Sequence, residues 1–267
     1  MGIIRINKII GTCIMLLISQ AGISSVLAHP LKVEYKLSVA GIPVGKVKLF
    51  GTFNATDYIM EASLKLTGLA GVFVDGKGTA AAAGKITPQA ILPSHFSANG
   101  TIEKEDQTIL VGFTNGTAQT LQLLPPVKNL NKRVPVTEDH KKKVLDPLSA
   151  FFAPILSGKD AFDPANCRQD IPVFDGSSRH TISMSYKGVK DSKLSAYTGK
   201  VLVCSIRYTP VAGHRTNHKS IKYMADNKDI WVRYAPVKNT NILIPVRLHV
   251  ATPFGKAEAT VSEFTYR

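Results

Sequence analysis

Residues 32–39 read Lys32-Val33-Glu34-Tyr35-Lys36-Leu37-Ser38-Val39. Val33, Tyr35, Leu37 and Val39 fall on one side and Lys32, Glu34, Lys36 and Ser38 on the other, the period of two that an extended chain imposes. A strand with one apolar and one wet face belongs to an antiparallel sheet packed on a core from one side. The Gly41-Ile-Pro-Val-Gly45 stretch then turns the chain, and Val47 to Phe53 and Tyr58 to Leu66 continue in the same manner. Further short β-favouring runs follow at Thr108 to Phe113, Thr117 to Leu124, Thr181 to Tyr186, Lys193 to Tyr197 and Val201 to Tyr208. Lys219 to Met224, Ile230 to Ala235, Ile242 to Ala251 and Ala257 to Tyr266 complete the set. Asn99-Gly100 and Asn115-Gly116 lie between extended runs and are expected to be tight hairpin turns, whose two central residues need positive φ.

One segment reads as a helix. Asp146 stands as N-cap, Pro147 occupies the first helical position, and Leu148, Ala150, Phe151, Phe152, Ile155 and Leu156 lead to Gly158. Its apolar residues nearly surround it, so it needs cover on several sides, while Pro154 shortens or kinks it. The expected fold is all-β and mainly antiparallel: a curled sheet, barrel-like or spiral, with one or two short helices packed on its concave side.

The 267 residues are 44% hydrophobic and 19% charged with 20 Gly and 15 Pro, which excludes a disordered chain and a coiled coil. Residues 1–28 carry Arg5 and Lys8, an apolar run from Ile9 to Ile18, and Val26-Leu27-Ala28 before His29. This is the layout of a secretory signal peptide, with cleavage expected after Ala28 and an exported location. The interrupted apolar run is shorter than the roughly 20 residues needed to span a bilayer. Residues 29–267 then form a single β-rich domain that retains 31 Lys and Arg against 19 Asp and Glu, a net of +12. Such a charge on an exported protein favours anionic lipid, glycan or an envelope protein as partner and gives no reason to expect nucleic acid. The most basic stretch is the loop 125–145, where Lys132, Arg133, Lys141, Lys142 and Lys143 are candidates for contact with an anionic surface. Cys167 and Cys204 are the cysteines left after cleavage, and in an oxidising compartment they are expected to form a disulfide.

Catalytic signals are weak. Gly71 to Lys77 matches phosphate-loop spacing, but Gly78 replaces the hydroxyl residue that would hold magnesium, and a hairpin accounts for the same glycines. His214 and His218 are four apart in a loop-like context without an adjacent base, and there is no G-x-S-x-G elbow. The acid pairs Glu103 with Glu105 and Asp226 with Asp229 sit at turns. No catalytic residue, cofactor or metal is therefore assigned.

Tyr35 with Gly41 and Gly45, Tyr58 leading to Gly68-Leu69-Ala70-Gly71, Leu92-Pro93-x-x-Phe96, Asp146-Pro147-Leu148-Ser149, the two cysteines, Pro245-Val246-Arg247 and Phe254-Gly255 together resemble a family of uncharacterised proteobacterial exported proteins, a domain of unknown function. The resemblance spans nearly the whole chain after the leader and implies a periplasmic, β-rich protein; it brings no catalytic residue, and the basic 126–145 insert has no match in it. The expected function is a non-enzymatic binding module supporting the cell envelope. Two alternatives are a carrier of a lipid or other apolar ligand enclosed by the sheet, and an envelope hydrolase.

Overall fold

The computed structural model describes residues 29–54, 56–67, 76–87, 90–102, 105–154, 160–238, 240 and 242–266. The leader 1–28, its cleavage site and most of the Gly71 to Lys77 stretch lie outside them. Strands β1 (His29–Val39), β2 (Ile42–Phe53), β3 (Asp57–Leu66), β4 (Gly76–Ile86), β5 (Ile91–Ile102), β6 (Glu105–Thr114) and β7 (Thr117–Leu124) form a continuous antiparallel meander. The second half contains β8 (Ala153–Pro154), β9 (Asp170–Phe174), β10 (Arg179–Leu194), β11 (Tyr197–Ala212), helix α1 (Lys219–Asp226), β12 (Ile230–Pro236), β13 (Ile242–Thr252) and β14 (Gly255–Tyr266). The sheet order is β7-β6-β5-β4-β3-β2-β1-β14-β13-β12-β11-β10-β9, with β8 paired to β13. The first and last strands thus meet at its middle, joining two meanders into one nearly closed barrel-like sheet.

The alternation of the opening segment is realised as far as Lys36, after which the register shifts between Leu37 and Ser38. Leu31, Val33 and Tyr35 are buried on the concave side with Leu49, Phe53, Tyr58 and Met60 of the next two strands, while Lys32 and Lys36 stay exposed. The Tyr35 hydroxyl reaches across to donate to the Pro245 carbonyl at 2.7 Å, so a phenol carried into the core keeps a partner. Asn115 and Gly116 have φ of 51° and 73°, the double positive φ of the expected hairpin turn between β6 and β7.

The open edges, β7 and β9, are joined by a strap rather than by each other. Lys142 bridges to Thr117 and Leu145 bridges to Val173; Lys143 N–H donates to Gly116, Leu145 N–H to Pro172, and Phe174 N–H to Leu145. A further bond runs from Thr120 Oγ1 to the Gly176 carbonyl at 2.8 Å. The strap thereby occupies β7 at Thr117 and β9 around Val173, and so covers part of the edges that would otherwise offer free N–H and C=O groups to another chain. Cys167 and Cys204 form the expected disulfide, with Cα atoms 5.5 Å apart, and tie the 3-10 turn Pro164–Cys167 to the buried strand β11.

Three local expectations are corrected. Residues 146–154 do not form an α-helix: a single 3-10 turn, Ser149–Phe151, is followed by extended Phe152 and the short β8. Asp146 does cap, but the turn it caps ends at once, because Pro154 lies in an extended bridge to Ile242 where the sheet supplies the partner. The expectation of a concave plug holds nonetheless, since Leu148 and Phe152 are buried in the core. Lys219–Asp226, expected to start as a strand, is the α-helix α1, opened by the bond from Lys222 N–H to the His218 carbonyl. Asn99 and Gly100 lie within β5 and not in a turn: Gly100 stands opposite Gly78 of β4, and a Cβ there would crowd the Lys77 carbonyl.

Candidate ligand-binding site

The plug is built around one buried carboxylate. Asp146 accepts from the N–H groups of Leu148 at 2.9 Å and Ser149 at 2.8 Å, and from the Ser149 hydroxyl at 2.5 Å. The Ser149 Oγ lies in turn 2.6 Å from the Tyr58 hydroxyl of β3. Both Asp146 and Ser149 are fully buried. Burial pushes the Asp146 carboxyl above the usual carboxylate range, only partly offset by these hydrogen bonds, and burial likewise raises the Tyr58 phenol. The arrangement satisfies a buried charge and docks the 146–152 segment on β3.

The plug leaves space beside it. Phe152 packs edge-on against Phe53, with ring centroids 5.5 Å apart, and against Tyr58, at 5.2 Å. Its other side borders a cavity of about 750 Å³ at the barrel end formed by the close of β4, the start of β5, the β6–β7 turn and the strap. Ile91, Leu92, Pro93, Phe113, Val144, Leu145 and Ile171 make the walls, and Lys85, Ser94, Asn115, Lys143, Gln169 and Asp170 supply polar groups. Volume and lining both fall in the range of small-molecule sites, which are mostly apolar with a few polar groups that orient the ligand.

The five cations expected to meet an anionic surface are divided. Arg133 is a structural residue: its Nη1 donates to the Gly213 carbonyl at 2.7 Å and its Nε to Lys128 at 3.2 Å, pinning 132–134 beside 213–216. Lys132 is exposed next to it. Lys141 and Lys142 each pair at 2.7 Å with the acid three residues earlier, Glu138 and Asp139. Lys143, at a φ of 52°, lines the cavity near Gly116. His218 precedes α1, its Nδ1 2.7 Å from Ser220 Oγ, and is not joined with His214 into a metal site. Among the described residues no group of three His, Cys, Asp or Glu could hold a metal ion, and no helix is long and apolar enough to cross a membrane. The cavity itself was beyond sequence reading, because its walls come from segments up to eighty positions apart; only the Leu92-Pro93 and Asp146-Pro147-Leu148-Ser149 motifs marked two of its neighbourhoods.

Fold and site together define a barrel-like antiparallel β protein with a plugged interior and an apolar cavity at one end. The chain belongs to a protein family of unknown function, DUF3108, which it matches over residues 34–262. Comparison with curated proteins gives no match. Among solved structures it is similar to the crystal structure of a beta-barrel-like protein of domain of unknown function DUF1849 from Brucella abortus. The TM-score is 0.52 at 8% identity, covering 91% of this chain and 98% of the other. That likeness is one of fold.

Proposed function

We propose that this protein is an exported, non-enzymatic binding module that takes the apolar part of an envelope component, such as a lipid acyl chain, into the cavity beside Phe152. The observation that carries this reading is the cavity: about 750 Å³ of mostly apolar space remaining after the plug has filled the barrel centre. Among its described lining residues there is one carboxylate, Asp170, and no histidine, so the lining supports binding better than acid–base chemistry. Lys85 and Lys143 give an anionic headgroup a place at the rim while the chain lies against Leu92 and Phe113. Export is supported by the leader and by a disulfide that an oxidising compartment would preserve.

The test is native mass spectrometry of protein purified under mild conditions, beside Leu92→Glu. Leu92 is 44% exposed, so the substitution leaves the core intact while placing a charge in the apolar wall. Extra mass that leaves on denaturation and is absent from the variant is the expected result. Added mass that persists in the variant would exclude this cavity as its site, and failure to bind a fluorescent fatty acid would remove the apolar-ligand reading.

A further inference from the structure

The strand registers bring together cations that are scattered in the sequence. Across the outer face, Arg233 pairs with Arg247, Arg247 with Thr260, Thr260 with Lys36, Lys36 with Lys46, Lys46 with Lys65, and Lys65 with Lys77. One hydrogen-bonded row across seven strands, β12 to β14 and β1 to β4, therefore carries a cation at every position but Thr260. Lys36, Lys46, Lys65 and Lys77 stand directly opposite one another on adjacent strands and are all exposed. Like charges placed so repel at a separation of about 5 Å and destabilise the sheet. Acids relieve only part of this: Glu34 lies 3.1 Å from Lys46, and Glu258 2.8 Å from Arg247. Among the described residues Lys36, Lys65 and Lys77 have no ion-pair partner. Lys48, one row away, adds to the field, and a groove of about 610 Å³ runs along Lys46, Lys48 and Lys65.

A second feature lies at the same end of the barrel. The β1–β2 and β13–β14 hairpins are neighbours, with Ala40 N–H donating to the Lys256 carbonyl. Each presents a large apolar side chain to solvent: Ile42 is 46% exposed and Phe254 69%. Lys36 lies three residues before Val39, which pairs with Ile42, so the β1–β2 tip projects about 10 Å beyond the row, and the β13–β14 tip, with Phe254 six residues from Thr260, extends further, to about 20 Å. Other large apolar residues such as Ile59 and Leu121 are exposed elsewhere, away from this row of cations.

We infer that this end of the barrel docks on an anionic phospholipid bilayer, with Ile42 and Phe254 entering the interface and Lys36, Lys46, Lys65 and Lys77 at the level of the headgroups. Apolar tips beyond a belt of cations match the two layers of a bilayer surface, acyl boundary and phosphate, in their order. A soluble linear polyanion would use the belt and have no use for the tips. The inference stands apart from the cavity, which lies at the opposite end of the same strands.

The experiment uses residues 29–267 and sedimentation with vesicles of phosphatidylcholine, with or without about one-third phosphatidylglycerol, at about 0.1 M salt. Binding is expected with the anionic vesicles and not with the neutral ones. Replacing Lys36, Lys65 and Lys77 with Gln removes about fivefold in affinity for each lysine, on the order of a hundredfold together. These side chains are exposed and mutually repulsive, so the variant should melt no lower than the parent. Phe254→Trp supplies a reporter beside the single native Trp231, and its emission should shift to the blue and be quenched by brominated lipid. Absence of binding to anionic vesicles overturns the proposal. So does binding that survives the triple change but is lost when Lys132 and Lys143 are replaced, since the contact then lies on the 125–145 loop. Lysine-dependent binding with no response from Trp at position 254, or preference for a soluble anionic polysaccharide, assigns the belt to a polyanion instead.

Discussion

Removing the Asp146 side chain tests whether the plug is held by hydrogen bonding or by packing alone. In Asp146→Ala the N–H groups of Leu148 and Ser149 lose their acceptor in a fully buried site, while the Ser149 hydroxyl can turn to Tyr58. Two unsatisfied buried donors at about 1–3 kcal/mol each give a loss of roughly 2–6 kcal/mol, a large part of the about 5–15 kcal/mol that holds a typical domain. Asp146→Asn keeps an acceptor for both N–H groups and removes the buried charge, so it should lose less than half as much. Urea unfolding of residues 29–267 with the disulfide intact measures both variants. The pH dependence has a fixed sign. Because the folded carboxyl titrates above its unfolded value, its proton linkage contributes stability that is complete below about pH 3.9 and is lost as pH rises through the folded pKa. Wild type should therefore gain on Asp146→Asn as pH falls through that window. A loss below about 1 kcal/mol in the Ala variant, or equal losses in Ala and Asn, would refute the view that this carboxylate organises the plug.

Two further outcomes follow from local geometry. Replacing both Cys167 and Cys204 with Ser should cost about 4 kcal/mol by the chain-entropy relation for their separation of 37, read from urea unfolding with the slope fitted separately for each protein, since the freed unfolded chain is more expanded. Gly84→Ala should destabilise by about 1–3 kcal/mol, because the added Cβ would run into the Leu92 carbonyl oxygen at the bulge where β4 meets β5; a variant with an unchanged melting temperature would show that this bulge yields freely.

What the sequence made legible is what depends on neighbours along the chain. The alternation from Val33 to Lys36, the Asn115-Gly116 turn and the capping role of Asp146 are each set within a few residues, and each holds in the structure; beyond Lys36 a register shift between Leu37 and Ser38 leaves Leu37, Ser38 and Val39 alike half-buried. The helix expected after Asp146 fails because a cap and an all-apolar run serve a buried 3-10 turn as well as a helix, and only contact with Phe53 and Tyr58 decides between them. In Lys219 to Met224, Ile221 and Tyr223 alternate as in a strand, yet the segment is too short for its period to separate the two readings. Asn99-Gly100 carries a turn signal that the close approach of β4 overrides. The cation row was invisible for a different reason: its members become neighbours only when every strand register between β12 and β4 is known, and a slip of one residue would send a lysine inward.

The pairing of β1 with β14 also orders the molecule in time. Ser262 donates to the Glu34 carbonyl across 228 positions, so the ladder at the middle of the sheet cannot begin until β14 is available. A chain emerging from its N-terminus completes the β1–β7 meander early and then holds β1 as an unpaired edge, with Val33 and Tyr35 beside it, throughout synthesis of the second half. Contacts of such high sequence separation close slowly, and an incomplete sheet with a free edge is prone to self-association in the interval. The protein's most vulnerable moment therefore comes before β14 docks, when what will be the centre of the finished sheet is still a border.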